Sequence, residues 1–301
     1  IACAVLRAGD AASGVEAEVV WSVSTRHAAR LRVCTGMEGG EGHREVARGG
    51  YAITGGLGGL GLRAAALLVA GGARGVVLAS RSGCVVRDGQ GVAARVESAG
   101  AAGVVVASDG ADAHEASALV CVWPLVGLLH AAGVLRDRML RAMSADDVHA
   151  SYAPKAAGAA LLHFVATRGL ETFGLFSSVA STFGNVGQAN YAAANAYLDA
   201  LASSRRHGGT VGSSLQIPAV SGAGMGATTF GEAQLEAMGA VSLDEFAASL
   251  GAVLAVGRAA SEQTQALLHP GALVSLAIPA LSELCQDRDA SITTSGARTA
   301  T

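Results

Sequence analysis

From residue 51 onward, short blocks of consecutive apolar residues alternate with longer stretches whose apolar positions recur every three or four residues. Residues 51–54, 76–79, 104–107, 125–129, 173–176 and 211–217 read as buried strands. Residues 60–69, 92–98, 145–167 with an interruption at Pro154, 191–206 and 243–256 read as helices, and 266–268 as a last strand. Apolar strands alternating with helices predict an α/β fold, a Rossmann-like doubly wound parallel sheet covered on both faces. The pattern before residue 51 is different. Val19, Val20, Trp21 and Val23 suit one short strand and residues 31–33 another, and the Gly-rich charged stretch 36–49 suits a linker. This part is too small to bury a core alone. Residues 280–301 lose all periodicity, as a linker or tail does. The expected division is therefore 1–48, 49–270 and 271–301.

Composition narrows the possible functions. Hydrophobic residues make up 51% of the 301 and charged residues 15%, enough for a sizeable core. A net charge of −3 argues against nucleic acid as a partner, because phosphate binding needs a basic excess. The five cysteines (Cys3, Cys34, Cys84, Cys121 and Cys285) are scattered, with no Cys-x-x-Cys pair. Neither a disulfide framework nor a metal site is expected, and a reducing compartment is the default. The cytoplasm is the expected location. An organelle stays open, because the sequence begins at Ile1 in strand-like sequence and reads as a piece of a longer chain. No apolar run reaches the length of a membrane span.

The first strand of the alternating part runs into Thr54-Gly55-Gly56-Leu57-Gly58-Gly59-Leu60-Gly61 and then a helix. A glycine turn at that place lets the backbone approach a pyrophosphate, and the helix N-terminus offers unpaired N–H groups. With 41 glycines in the chain, the motif gains its force from the strand before it and the helix after it. An NAD site usually has an acidic residue after the second strand, for the ribose hydroxyls. Ser80-Arg81-Ser82 stands there instead, and a guanidinium between hydroxyls suits a 2′-phosphate. NADPH is the expected cofactor, with Asp109 after the third strand as an acceptor for the adenine amino group.

Four segments then occur in order: the glycine turn, His130-Ala131-Ala132-Gly133, Phe176-Ser177-Ser178-Val179-Ala180, and Gly187-Gln188-Ala189-Asn190-Tyr191-Ala192-Ala193-Ala194-Asn195-Ala196. Together they closely resemble the ketoreductase domains of type I polyketide synthases, within the short-chain dehydrogenase/reductase superfamily, over about residues 50–260. The resemblance implies reduction of a β-ketoacyl thioester on an acyl carrier protein, with other synthase domains on the same polypeptide as neighbours. It also implies that residues 1–48 are the remnant of an N-terminal structural subdomain. Tyr191 matches the tyrosine that gives a proton to the forming alkoxide, and Ser178 the serine that hydrogen-bonds the carbonyl. A phenol near pKa 10 needs a neighbouring cation to relay protons at neutral pH. Common short-chain dehydrogenases place a lysine four residues after the tyrosine, where this chain has Asn195. The resembled family exchanges the two positions and carries its lysine on the preceding helix. Lys155, the sole lysine of the chain, lies in the matching segment Tyr152-Ala153-Pro154-Lys155. Lys155, Ser178, Tyr191 and Asn195 then complete a tetrad.

His130, Ala131, Ala132 and Gly133 fall where the family's chain passes the cofactor, and the His130 ring is expected to pack rather than react. Ser177 is expected to be structural. Leu135-Arg136-Asp137 resembles the Leu-Asp-Asp signature of B-type enzymes, which form a D-hydroxy product. Phe183 stands where A-type enzymes have tryptophan. Gln188 and Met225 are further substrate-side candidates, with Gly224-Met225-Gly226 opening a lid and residues 230–238 forming its helix. Two features depart from the family. The stretch 109–130 is several residues short, and Ser214-Leu215-Gln216-Ile217-Pro218-Ala219 replaces a segment that commonly carries tryptophan and glycine. The rival readings are a non-catalytic scaffold domain, a stand-alone short-chain dehydrogenase acting on a free ketone, and a fatty acid synthase ketoreductase.

Overall fold

A computed structural model describes residues 2–4, 19–22, 25–28, 49–84, 103–122, 124–166, 169–229, 231–237, 239–256 and 264–265. The chain divides into two compact units, residues 41–268 and residues 1–40 with 269–301. The smaller unit holds a three-stranded antiparallel sheet of β1 (Ala2–Ala4), β2 (Val19–Ser22) and β3 (Thr25–Ala28), with Ala2 opposite Trp21 and Val19 opposite Ala28. The strand expected at 31–33, the helix at 92–98, the last strand at 266–268 and the tail lie outside the described residues.

The larger unit is built on a parallel sheet of β4 (Gly50–Thr54), β5 (Gly75–Ser80), β6 (Gly103–Ala107), β7 (Leu125–His130), β8 (Thr172–Ser178), β9 (Ser213–Ile217) and β10 (Thr264–Gln265). Their spatial order is β10-β9-β8-β7-β4-β5-β6. Strands β4, β5, β7, β8 and β9 are buried along most of their length, as expected of a sheet covered on both sides, whereas β6 is partly exposed. Helix α1 (Gly59–Ala70) follows β4, and α2 (Ala113–Val122) follows β6. This ten-residue helix fits within the stretch that is short by comparison with the resembled family. After β7 come α3 (Ala145–Tyr152), a π-turn at Ala153–Ala157, and α4 (Gly158–Val165). After β8 come α5 (Ala180–Phe183) and the long α6 (Ala189–His207). Then α7 (Gly224–Thr229), α8 (Glu232–Ala237) and α9 (Leu243–Val256) complete the unit.

The core lies in two main layers. Tyr51, Ile53, Leu68, Phe176, Leu215, Phe246 and Leu250 pack α1 and α9 against one sheet face. Leu128, Leu162, Phe173, Leu175, Leu198 and Ala202 pack α2, α4 and α6 against the other. Strand order reverses at β4, from which β5 and β6 continue in one direction and β7 to β10 in the other. In such sheets the crevice for a ligand opens at the carboxyl ends of the strands beside that reversal. Thr54, His130, Ser178 and Ile217 are the last residues of β4, β7, β8 and β9, so the candidate segments converge on one edge.

Candidate active site

The turn from β4 into α1 is held by close backbone packing. Gly55 has φ +67°, and a Cβ there would lie 2.7 Å from Ala132 N and 2.8 Å from Ala131 C. Only glycine lets the turn sit against the 131–133 segment. Ala131 N donates to Thr54 O at 3.0 Å and closes the crevice floor. His130 is fully buried, with Nε2 2.8 Å from Lys155 O and Nδ1 2.7 Å from Thr54 Oγ1. A carbonyl only accepts, so Nε2 carries the proton and the Thr54 hydroxyl donates to Nδ1. The Thr54 and His130 side chains are thus spent on each other and on the π-turn, and neither lines the cleft. Burial, and then the Lys155 charge, lower the His130 pKa to about 4, against the lifting effect of its bond to Lys155 O.

Lys155 reaches the site through the π-turn. Pro154 has no N–H to give to a helical ladder. The backbone widens there, and Gly158 N bonds back to Ala153 O, five residues earlier. Lys155 is 3% exposed, and its Nζ donates to Phe176 O at 2.8 Å and stands 5.4 Å from the centre of the Tyr191 ring. Burial lowers its pKa to about 8, and the Asp199 charge works in the opposite direction. Gly133 packs on the same ammonium arm, since a Cβ there would meet Lys155 Cε at 3.0 Å and Met225 Cε at 3.7 Å.

Lys155, Ser178, Tyr191, Gln188, Met225, Ala131 and Leu60 line one cleft of about 320 Å³, within the range of small-molecule sites. Ser178 Oγ accepts from Ala180 N at 3.2 Å, which leaves the hydroxyl's own proton to be donated. The Tyr191 pKa lies above its ordinary value of 10 because the phenol is buried. The Asn195 and Ser178 side chains pull it down, and the Asp137 charge pushes it up. Desolvation outweighs the neighbouring polar groups at this phenol.

Asn195 is fully buried behind Tyr191 rather than in the cleft. Its Nδ2 donates to Tyr191 O at 2.8 Å, and its Oδ1 has no hydrogen-bond partner among the described residues. Ser177 Oγ donates to Asn195 O at 3.3 Å, joining β8 to α6. Gln188 Nε2 donates to Asp137 Oδ2 at 2.9 Å and its Oε1 accepts from Asn185 Nδ2, so both ends of the amide are held where it lines the cleft. Phe183, half-buried at the end of α5, is not among the cleft residues.

Farther along the sheet edge, Arg81 and Ser82 are exposed after β5. Ser80 Oγ accepts from Gly83 N and Ser82 Oγ donates to Cys84 O, which shapes the turn around Arg81. Asp109 Oδ1 accepts from Ala111 N at 3.0 Å in a turn that leads into α2. No group of metal-ligating side chains occurs among the described residues, and no helix among them is long and apolar enough to cross a membrane.

Two residues with a part in the site were not singled out from sequence. Asn190 Nδ2 lies 2.9 Å from Arg136 O, 3.1 Å from Asp147 O and 3.1 Å from Ser151 Oγ, sharing its two protons among them, and Oδ1 accepts from Tyr191 N at 2.8 Å. It clamps the start of α6, and so the tyrosine, to α3 and the 134–138 loop. The other is Asp199, on the same face of α6 as Tyr191 and Asn195. An acid at that spacing, in a helix otherwise rich in alanine, was the available signal.

Residues 49–222 match the family described as the KR domain. The chain is 37% identical over 235 residues to a 6-methylsalicylic acid synthase of Arthrobotrys oligospora, covering 72% of this chain and 13% of that protein. It is similar to a solved A1-type ketoreductase at 31% identity and a TM-score of 0.75, over 86% of this chain and 56% of the other. A short-chain dehydrogenase of Burkholderia cenocepacia, solved in complex with NADP, shares the fold at 19% identity and a TM-score of 0.64, over 75% of this chain and 98% of its own. The chain thus spans a small part of its curated relatives, which are large multidomain synthases.

Proposed function

The chain belongs to the KR-domain family, the ketoreductases of polyketide synthases, which are oxidoreductases with the short-chain dehydrogenase fold, and from there we propose that it uses NADPH to reduce the β-keto group of a carrier-bound acyl thioester to a β-hydroxyl. One observation carries the reading. A buried ammonium, a hydroxyl and a phenol share a single cleft that begins at the glycine turn.

The fit to a nicotinamide dinucleotide rests on the close-packed Gly55 turn at the sheet's reversal and on Arg81 beyond the second strand. Bound there, the reduced cofactor would supply the hydride. Leu57 and the first helical residues Gly59, Leu60 and Gly61 would offer backbone N–H groups to the pyrophosphate, while the Gly58 N–H closes the turn on Gly55 O. Ser80, Arg81 and Ser82 would take the 2′-phosphate, and Asp109 would lie toward the adenine. Ala131, Ala132 and Gly133 would pass beside the cofactor with their backbone.

Ser178 would donate to the substrate carbonyl and stabilise the charge that grows on it. Tyr191 would then deliver its proton to the alkoxide. A phenol held above its ordinary pKa remains protonated at neutral pH and still serves, because an alkoxide is a far stronger base than a phenolate. The Lys155 ammonium would favour the transient phenolate. Asn195 would hold the first turn of α6 and keep a buried acceptor behind the phenol. The carrier protein and neighbouring synthase domains would be the partners, in the cytoplasm.

Leu135 lines the cleft, and Asp137 is tied to Gln188, which supports a B-type course with a D-hydroxy product. The relevant assay is turnover of a β-ketoacyl carrier substrate, followed by chiral analysis of the alcohol. Tyr191→Phe should lose about 10²–10⁴-fold in turnover while still binding NADPH. Undiminished turnover by that variant would remove Tyr191 as the acid, and a predominantly L product would remove the B-type reading.

A further inference from the structure

Strand β9 sends Leu215 and Ile217 into the core, while Ser214 and Gln216, which alternate with them, are polar and still buried, Gln216 at 2% exposed. Both lie in the segment 214–219 that departs from the resembled family. A buried amide is costly unless it is hydrogen-bonded. Gln216 finds partners on α5 and α6. Its Oε1 accepts from Thr182 Oγ1 at 2.9 Å, and its Nε2 stands 2.8 Å from Asp199 Oδ2 and 3.0 Å from Ser181 Oγ. The reversed amide would set its carbonyl against a carboxylate, so these contacts fix its orientation. Ser214 Oγ bonds to the other carboxylate oxygen, Oδ1.

Ser181 Oγ is the centre of this group. It lies 2.7 Å from Asp199 Oδ2 and 2.8 Å from Ser178 O, two acceptors for a single hydroxyl proton. The carboxylate is the stronger acceptor and would claim that proton if it lacked another donor. Gln216 is that donor. One of its N–H groups satisfies Oδ2 and the other meets the Ser181 oxygen, which turns the Ser181 proton toward Ser178 O. Helix α5 begins two residues after Ser178, and Ala180 N donates to Ser178 Oγ at 3.2 Å. The turn that aims the Ser178 hydroxyl is thus tied at both its carbonyl and its side chain. Ser178 lines the cleft, whereas Gln216, Ser181 and Asp199 do not, so any influence they have on the reaction passes through Ser178.

We propose that Gln216 is a positioning residue of this site: by occupying the Asp199 carboxylate it leaves the Ser181 proton to Ser178 O and so holds the Ser178 hydroxyl in place in the cleft. The consequence for turnover rests on the function proposed above.

A double-mutant cycle on the full chain tests this, read as kcat and KM for a β-ketoacyl carrier substrate and for NADPH. Gln216→Leu keeps the bulk of the side chain without its donors. It should lower kcat about tenfold, the worth of one hydrogen bond, with KM for NADPH unchanged. Ser181→Ala should do the same, and Ser181→Thr, which keeps the hydroxyl, should regain most of the loss. In a Ser178→Ala background, Gln216→Leu should cost less than about twofold more, because the group it positions is gone. Where Gln216→Leu does not fold, Ser181→Ala takes its place in the cycle. A folded variant with wild-type kcat, or an equal loss in both backgrounds, overturns the proposal and leaves the proposed function standing. Wild-type turnover by Ser178→Ala alone removes Ser178 from the proposed reaction, and the positioning role falls with it.

Discussion

An ammonium inside a protein favours losing its proton, and Lys155, 3% exposed with one carbonyl as its direct partner, is held at a pKa of about 8 instead of 10.5. Between those two values the unfolded chain keeps a proton that the folded chain has released. Stability therefore rises with pH across that window, and below pH 8 the full penalty applies, on the order of 3 kcal/mol. Lys155→Met fills similar space without the charge, at the cost of about 1 kcal/mol for the stranded Phe176 carbonyl. The net gain of about 2 kcal/mol should make the variant melt about 4–8 °C higher than wild type at pH 7 and lose that advantage near pH 10.5, while turnover collapses. Calorimetry across that range checks it, and a lower melting point at pH 7 would mean the lysine stabilises the fold. The same side chain shows what the sequence could reveal. Its uniqueness and the preceding proline marked Lys155 as special, but its contact with the Phe176 carbonyl depends on β8, far away in the chain.

At the scale of elements, strands such as β4 and β5 were legible because they are buried on both faces and read as apolar blocks, whereas β6 reads as one although it is partly exposed. The helix α2 was harder to foresee, since residues 109–130 are short by comparison with the resembled family and its face is packed by Ala116, Leu119 and Val120. The interruption at Pro154 was legible, but the π-turn was not. It is tied to the sheet by His130, whose Nε2 proton holds Lys155 O while Nδ1 takes the Thr54 hydroxyl. One ring thus joins β4, β7 and the π-turn, and that couples their docking to pH. Burial first, and then the Lys155 charge, put the folded pKa of His130 near 4, below the ordinary 6.5. The unfolded chain takes up the proton in that interval. The stabilisation is whole above pH 6.5 and is lost as pH falls toward 4, on the order of 3 kcal/mol in all. His130→Gln should be less stable at pH 7 and show a flatter decline from pH 6.5 to 4. Urea unfolding at several pH values measures this, and parallel slopes in the two proteins would contradict it.

For the molecule as a whole, the parallel sheet brings groups from distant parts of the sequence to one edge: the glycine turn after β4, Arg81 after β5, Gly133 after β7, Ser178 at the end of β8 and Met225 after β9. A ligand that spans this edge contacts most of the larger unit's strands and so stabilises the whole fold by mass action. Saturation at about one hundred times Kd is worth about 2.7 kcal/mol, some 5–11 °C in melting temperature for a domain of this size. NADPH should raise the melting point by that amount, and NADH at the same concentration by clearly less, because the guanidinium of Arg81 has no 2′-phosphate to bind in NADH. Arg81→Ala should erase the difference while leaving the response to NADH intact, since Arg81 is exposed and its loss disturbs no core contact. If the two cofactors shift the wild-type protein equally, the turn at residues 80–82 does not select the phosphate. The charge that discriminates would then have to come from elsewhere along the same edge.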